Sequence, residues 1–205
     1  MRTMLSIFLS LALMSCSSCG PAEVEFEKGD TQSEINSEPE SDIHGGSPAP
    51  ESWDKCSAHL GDHSCDLSLV DQFGDTFQLY DNYGKVIILD FSAMWCGPCQ
   101  TAASHSQLFM DEYGDKDFLW VTVLIDNELG QPPSESDIQR WSDSFGITTS
   151  PVLAGDRSLI DPTGDSGWPI GSWPTFVIID KEMVIKNGMY GWSEQAIREW
   201  IAAEI

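Results

Sequence analysis

Trp95-Cys96-Gly97-Pro98-Cys99 is the stretch that says most about the fold. Two cysteines with two residues between them can close and open a disulfide within one short loop. Upstream, Lys85-Val-Ile-Ile-Leu-Asp-Phe91 is apolar and β-branched and predicts a buried strand. Downstream, Gln100 to Tyr113 predicts a helix, with Pro98 suited to its first turn. The pair therefore falls at a strand-to-helix junction, with Cys96 at the helix N-terminus. There the unpaired N–H groups and the positive end of the helix dipole favour a thiolate, the species that attacks disulfides.

The 205 residues allow one ordinary domain and additional segments. A short basic start, Met1-Arg2-Thr3, precedes the ten-residue apolar run Leu5–Met14, which is too short to span a bilayer and predicts a signal peptide over residues 1–15. Leu13-Met14-Ser15-Cys16 resembles the bacterial lipobox, which implies a lipidated Cys16 as the first mature residue; plain secretion, with Cys16 and Cys19 incidental, is the alternative. Residues 16–55 are rich in Glu, Ser, Pro, Gly and Asp and poor in large apolar side chains, which predicts a disordered, lipid-anchored acidic tether. The formal charge of −23, from 33 acidic and 10 basic residues, argues against nucleic acid and anionic lipid surfaces as partners.

The folded domain is expected over residues 56–205. Cys56 and Cys65 enclose a short loop, and in an oxidising compartment they predict a structural disulfide; a metal site with His59 and His63 is the alternative. Leu67–Leu79 alternates around a Gly-Asp turn and predicts a hairpin. Asp117–Asp126 predicts a second buried strand, and Ser134 caps a helix through Ile138, Trp141 and Phe145. Thr175–Asp180 predicts another strand, paired with Met183–Lys186, and Ser193 caps a final helix with Ala196, Ile197, Trp200 and Ile201 on one face. Strands alternating with helices before a terminal hairpin and helix indicate an α/β fold with a central mixed sheet.

Leu89-Asp-Phe-Ser-Ala-Met-Trp-Cys-Gly-Pro-Cys99, together with Ser172-Trp-Pro-Thr-Phe-Val-Ile-Ile-Asp180, resembles the active-site run and the cis-proline segment of thioredoxin-fold proteins. The hairpin ahead of Lys85 and the 78 positions from Cys96 to Pro174 are similar to the TlpA/ResA branch of extracytoplasmic thiol–disulfide oxidoreductases, whose extra helix–strand insert would include Thr148–Pro162. The resemblance implies a thioredoxin-like sheet flanked by helices. It implies Cys96 as nucleophile, Cys99 as the buried resolving thiol, Pro174 as a cis-proline and Asp90 as a buried acid that moves protons at the inner cysteine. Trp95, Gly97, Pro98, Trp173, Thr175 and Gly191 would shape the substrate-binding surface. Protein thiols and disulfides would be the substrates, with electrons delivered by a membrane-embedded donor and with no cofactor or metal.

Departures from the pattern narrow these expectations. Thr175 stands where haem-pathway members of the branch carry an acid, and Thr122 stands where thioredoxins place a lysine near the buried acid. A peroxidase of the same fold needs Pro-x3-Thr/Ser-x2-Cys, whereas the chain has Leu89 and Ala93 at those places. A copper-delivery protein, the other alternative, typically uses a wider cysteine spacing with a distant histidine. His105, on the helix after the cysteines, is a peripheral candidate, and Trp168 and Trp192 are candidates for the core.

Overall fold

The computed structural model describes Trp53 and residues 55–205. The expected signal peptide over 1–15, the lipid-bearing Cys16 and all but the end of the tether lie outside the described residues. Ten regular elements follow: β1 (Ser68–Val70), β2 (Thr76–Gln78), β3 (Val86–Ala93), α1 (Gly97–Tyr113), β4 (Phe118–Asp126), α2 (Glu135–Phe145), β5 (Val152–Ala154), β6 (Thr175–Ile179), β7 (Ile185–Tyr190) and α3 (Glu194–Glu204).

Five strands form one sheet in the order β5-β4-β3-β6-β7, with β3, β4 and β5 parallel and β6 and β7 antiparallel to their neighbours. Every residue of β3 and β4 is buried, which is why both segments read as continuous apolar runs. The alternation of side chains divides the core in two. Val86 and Ile88 join Trp120, Phe176, Ala102 and Phe109 of α1, and Ile197 and Ile201 of α3. Ile87, Leu89 and Phe91 face Leu67, Leu79, Trp168 and Ile170 instead. The N-terminal hairpin and the segment before β6 thus cover the face that α1 and α3 leave open. The segment expected as an insert, Thr148–Pro162, supplies edge strand β5 and a single 3-10 turn at Arg157–Leu159, following α2.

The helix ends follow local chemistry. Ser134 and Asp137 form a capping box at α2, and Gly146 ends that helix with φ 65°, a value that L side chains rarely adopt. Ser193 caps α3 through the Ala196 N–H. One buried glutamine joins the hairpin to the sheet edge: Gln72 donates to the Ser150 carbonyl at 3.1 Å and accepts from the Val152 N–H at 2.8 Å. The last hairpin differs from the expected Met183–Lys186 pairing. Asp180 accepts from the Glu182 and Val184 N–H groups, so the turn occupies Asp180–Val184, with Met183 at φ 63°. The strand starts at Ile185 and continues to Tyr190.

Trp53, at the end of the expected tether, belongs to the packed domain. Its ring stacks on His63 at 4.3 Å and meets Tyr80 edge-on at 5.2 Å. Cys56 and Cys65 are joined by a disulfide, and His59 bonds Asp165 at 3.0 Å. We expect the Cys56→Ser/Cys65→Ser variant to lose about 2–3 kcal/mol, the cost of opening a loop of this size. That corresponds to a melting temperature lower by about 5–10 °C for a domain of this length. Circular dichroism melts of both proteins with the second disulfide oxidised would show it. Equal melting of the wild type with and without EDTA is the accompanying expectation.

Candidate active site

Strand β3 ends at Ala93, and four residues later α1 begins. Cys96 is the N-cap of that helix, in an extended backbone conformation, and its Sγ accepts the Cys99 N–H at 3.2 Å. A sulfur in the place of a capping oxygen receives one of the free N–H groups of the first turn, an arrangement that favours negative charge on it in the reduced protein. Cys96 and Cys99 are joined in a disulfide with Cα atoms 5.2 Å apart. Cys99, one turn inward, is fully buried with Ala103, Leu124, Ile138 and Trp141, whereas Gly97, Pro98 and Trp95 are exposed.

The second expected segment lies beside the pair. The Trp173–Pro174 peptide bond is cis, and Trp173 packs on the cluster that holds both cysteines. Trp173 and Trp95 meet edge to face at 6.4 Å. Gly191, at φ 80°, donates its N–H to the Pro174 carbonyl at 2.8 Å, so these two expected site residues adjoin. Thr175 turns inward, donating its hydroxyl to the Ser172 carbonyl at 2.7 Å, and so presents no acid or hydroxyl to the surface. His105 does not join this group: its ring lies against Trp192 at 5.2 Å, with Glu194 3.6 Å away.

Asp90 is fully buried on β3, on the same face as Val86 and Ile88. Ser92 donates to its carboxylate at 2.6 Å and Thr122 at 3.3 Å. Thr122 is directly opposite in the β3–β4 register, at the place expected from the sequence. Burial raises the Asp90 pKa from its ordinary 3.8 to about 7, against the opposing effect of the hydrogen bonds from Ser92, Thr122 and Trp120. A carboxyl that titrates near neutrality can hold or release a proton under ordinary conditions.

Sequence reasoning missed a second acid. Asp126 closes β4, and a register shift between Ser92 and Ala93 brings it opposite Ala93. Its side chain is 1% exposed, yet it lies at the active-site loop: the Trp95 indole N–H donates to Oδ2 at 3.3 Å, and its carbonyl accepts the Met94 N–H at 2.9 Å. Arg157 grips the same carboxylate from the 3-10 turn after β5, with Nε at 3.0 Å and Nη2 at 2.5 Å. An acid at the end of an otherwise apolar strand was the signal available, because a buried carboxylate requires a cation or several donors. Its partner, 31 residues on, had no local signature.

The shifted titration of Asp90 makes stability depend on pH in a defined sense. The folded protein holds this proton more tightly than the unfolded chain does. The associated stability is present below about pH 4 and is lost as pH rises toward about 7. The gap between 3.8 and about 7 corresponds to at most about 4 kcal/mol. We expect Asp90→Asn to be about 2–4 kcal/mol more stable than the wild type at pH 8 and nearly equal to it at pH 4, measured by urea unfolding. An equal gain at both pH values would assign the effect to packing instead.

The chain is similar to known proteins. The AhpC/TSA family profile matches residues 60–187. The thioredoxin-like protein YneN of Bacillus subtilis (strain 168) is 28% identical over 127 residues, covering 62% of this chain and 69% of that protein. The thiol–disulfide oxidoreductase ResA of Halalkalibacterium halodurans is 26% identical over 149 residues, covering 72% of this chain and 78% of that protein. Among solved structures, the pneumococcal exposed lipoprotein thioredoxin of Streptococcus pneumoniae strain TIGR4 superposes with a TM-score of 0.55 at 28% identity, over 69% of this chain and 100% of that one. With the mixed five-stranded sheet and the cysteine pair at the β3–α1 junction, the chain belongs to the AhpC/TSA family and has the thioredoxin-like fold.

Proposed function

We propose that this protein is an extracytoplasmic thiol–disulfide oxidoreductase that exchanges disulfides with protein substrates through Cys96 and Cys99, with reduction of the substrate as its net direction. The observation that carries the reading is the disulfide itself: Cys96 as the sulfur cap of α1, with Cys99 one turn inward and buried. The names of the relatives ResA and YneN support the chemistry, and the pneumococcal lipoprotein supports a place outside the cytosol. The lipobox resemblance at Cys16 supplies the expected anchor, and the acidic segment after it supplies the reach.

In the reduced enzyme the Cys96 thiolate attacks one sulfur of a substrate disulfide. The Cys96–substrate bond forms as the substrate S–S bond breaks, and the departing substrate sulfur takes up a proton. Cys99 then loses its proton and attacks the Cys96 sulfur. The second substrate thiolate leaves and is protonated. Two electrons and two protons have passed to the substrate, and the Cys96–Cys99 disulfide remains. Asp90, with its pKa near 7, is the group suited to accept the Cys99 proton, directly or through water. An extended substrate segment would lie along Trp95, Trp173 and Gly191, beside the buried Pro174. The Gly97-Pro98 dipeptide is the one found in reducing thioredoxins, whose potential is about −270 mV. Regeneration needs a dithiol donor, and an exported protein receives those electrons through the membrane.

The alternative of peroxide reduction lacks its polar groups. Leu89 and Ala93 are both fully buried and apolar, so no hydroxyl stands three residues before Cys96 to hold a peroxide. Copper delivery, the other alternative, is disfavoured by the tight Cys-Gly-Pro-Cys spacing of Cys96 and Cys99.

The insulin-precipitation assay with dithiothreitol tests the reading. We expect the wild type to accelerate precipitation and Cys96→Ser to abolish that acceleration. Cys99→Ser is expected to accumulate a mixed disulfide with substrate, visible by non-reducing electrophoresis. Wild-type protein that reduces no disulfide, or hydrogen peroxide turnover at a comparable rate, would overturn the proposal.

A further inference from the structure

The acid that holds Trp95 is itself held by a residue from a different part of the chain. Asp126 is buried at the end of β4, in a chain whose described residues carry far more acids than bases. Left alone, a carboxylate beside the Cys96 loop would have two effects. It would lack the partner that its burial requires, and its negative charge would oppose a second negative charge on Cys96. Arg157 meets both needs. Its guanidinium is bidentate on Asp126, and its side chain is 62% exposed, so the cation reaches from the surface onto the buried oxygens.

We propose that Arg157 is a positioning residue for the Trp95–Cys99 loop: by pairing with Asp126 it fixes the carboxylate that holds the Trp95 indole and screens Cys96 from that carboxylate's charge. The inference rests on the assignment of Cys96 as the attacking thiol. It makes the segment after β5 part of the redox machinery rather than a simple cover for the sheet.

The other charged groups around the loop do not duplicate this role. On β3, Asp90 is a second buried acid, of the same sign as Asp126. On α1, His105 is the only ionisable side chain besides Cys99 between Gly97 and Met110, and it lies against Trp192 and Glu194 of the opposite segment. From the β4–α2 side, Glu128 and Arg140 line a cavity of about 240 Å³ with Met94 and Gln100, but they neutralise each other across 2.9 Å. Arg140 is further engaged by Asp137 at 2.8 Å. Arg157 is therefore the cation coupled to the loop through Trp95.

The test is the pH profile of Cys96 alkylation by iodoacetamide in the reduced protein, with the modified residue identified by mass spectrometry. We expect Arg157→Met to raise the Cys96 pKa by about one unit, which lowers the alkylation rate about tenfold below pH 6. The double variant Asp126→Asn/Arg157→Met should return within about threefold of the wild type, because the charge being screened is gone. Arg157→Lys, which keeps the charge without the fork, should stay within about threefold and serves where the methionine variant unfolds.

An unchanged profile in Arg157→Met overturns the inference. An equal rise in the single and double variants also overturns it, by tracing the effect to lost packing rather than charge. A tenfold loss in Arg157→Lys does the same. If the rapidly alkylated thiol of the wild type is not Cys96, the proposed function fails. If it is Cys96 and the variants leave it unmoved, only the role of Arg157 fails.

Discussion

Strand β3 is buried along its whole length, hydrogen-bonded to β4 on one edge and to β6 on the other, and packed on both faces. Such a strand offers no surface of its own, so chemistry can occur only where it ends. The end is made abruptly: Ala93 still pairs with Asp126, and three residues later Cys96 is already capping a helix. Because β6 runs antiparallel to β3, its first residue is at the same end, and the cis-proline that precedes it arrives beside the cysteines. The site is thus a consequence of strand direction as much as of motif.

The parts of the fold carried by short-range patterns were legible in the chain. Val86–Ala93 and Phe118–Asp126 announce themselves by predominantly apolar, β-branched runs, and Ser134 and Ser193 mark helix starts by residue type alone. Asp90 and Pro174 were legible for a different reason, their fixed relation to sequence runs that resemble a known family. The last hairpin was displaced because its turn is built by Asp180 accepting two backbone N–H groups and by Met183 in the left-handed region, where an unbranched apolar residue gives no warning. Trp53 read as tether because its neighbours are polar, although its own ring has a place against His63 and Tyr80. The pairing of Asp126 with Arg157 depends on two loops meeting in space, and no window along the sequence contains both.

The two buried acids of β3 and β4 differ in their partners. Asp90 has hydroxyl donors but no cation, and its carboxyl is raised into the neutral range. Asp126 receives a guanidinium and an indole N–H in addition. Burial without a cation raises the carboxyl of Asp90, whereas Asp126 is tied to Arg157 and to the Trp95 indole.

The disulfide-closed loop also governs how the domain meets its own leading segment. Gly61 donates to the Ile185 carbonyl, Ile185 to that of Asp62 and Ser64 to that of Met183, so the loop lies along the outer edge of β7. Ala58 donates in turn to the Gly164 carbonyl. A pull on the chain at Trp53 therefore runs into a cross-linked knot laid over the sheet margin. Ile185 pairs with Ile179 and Ile179 with Ile87, so these contacts are made at the opposite end of the sheet from the one where β3 leads into Cys96 and Cys99.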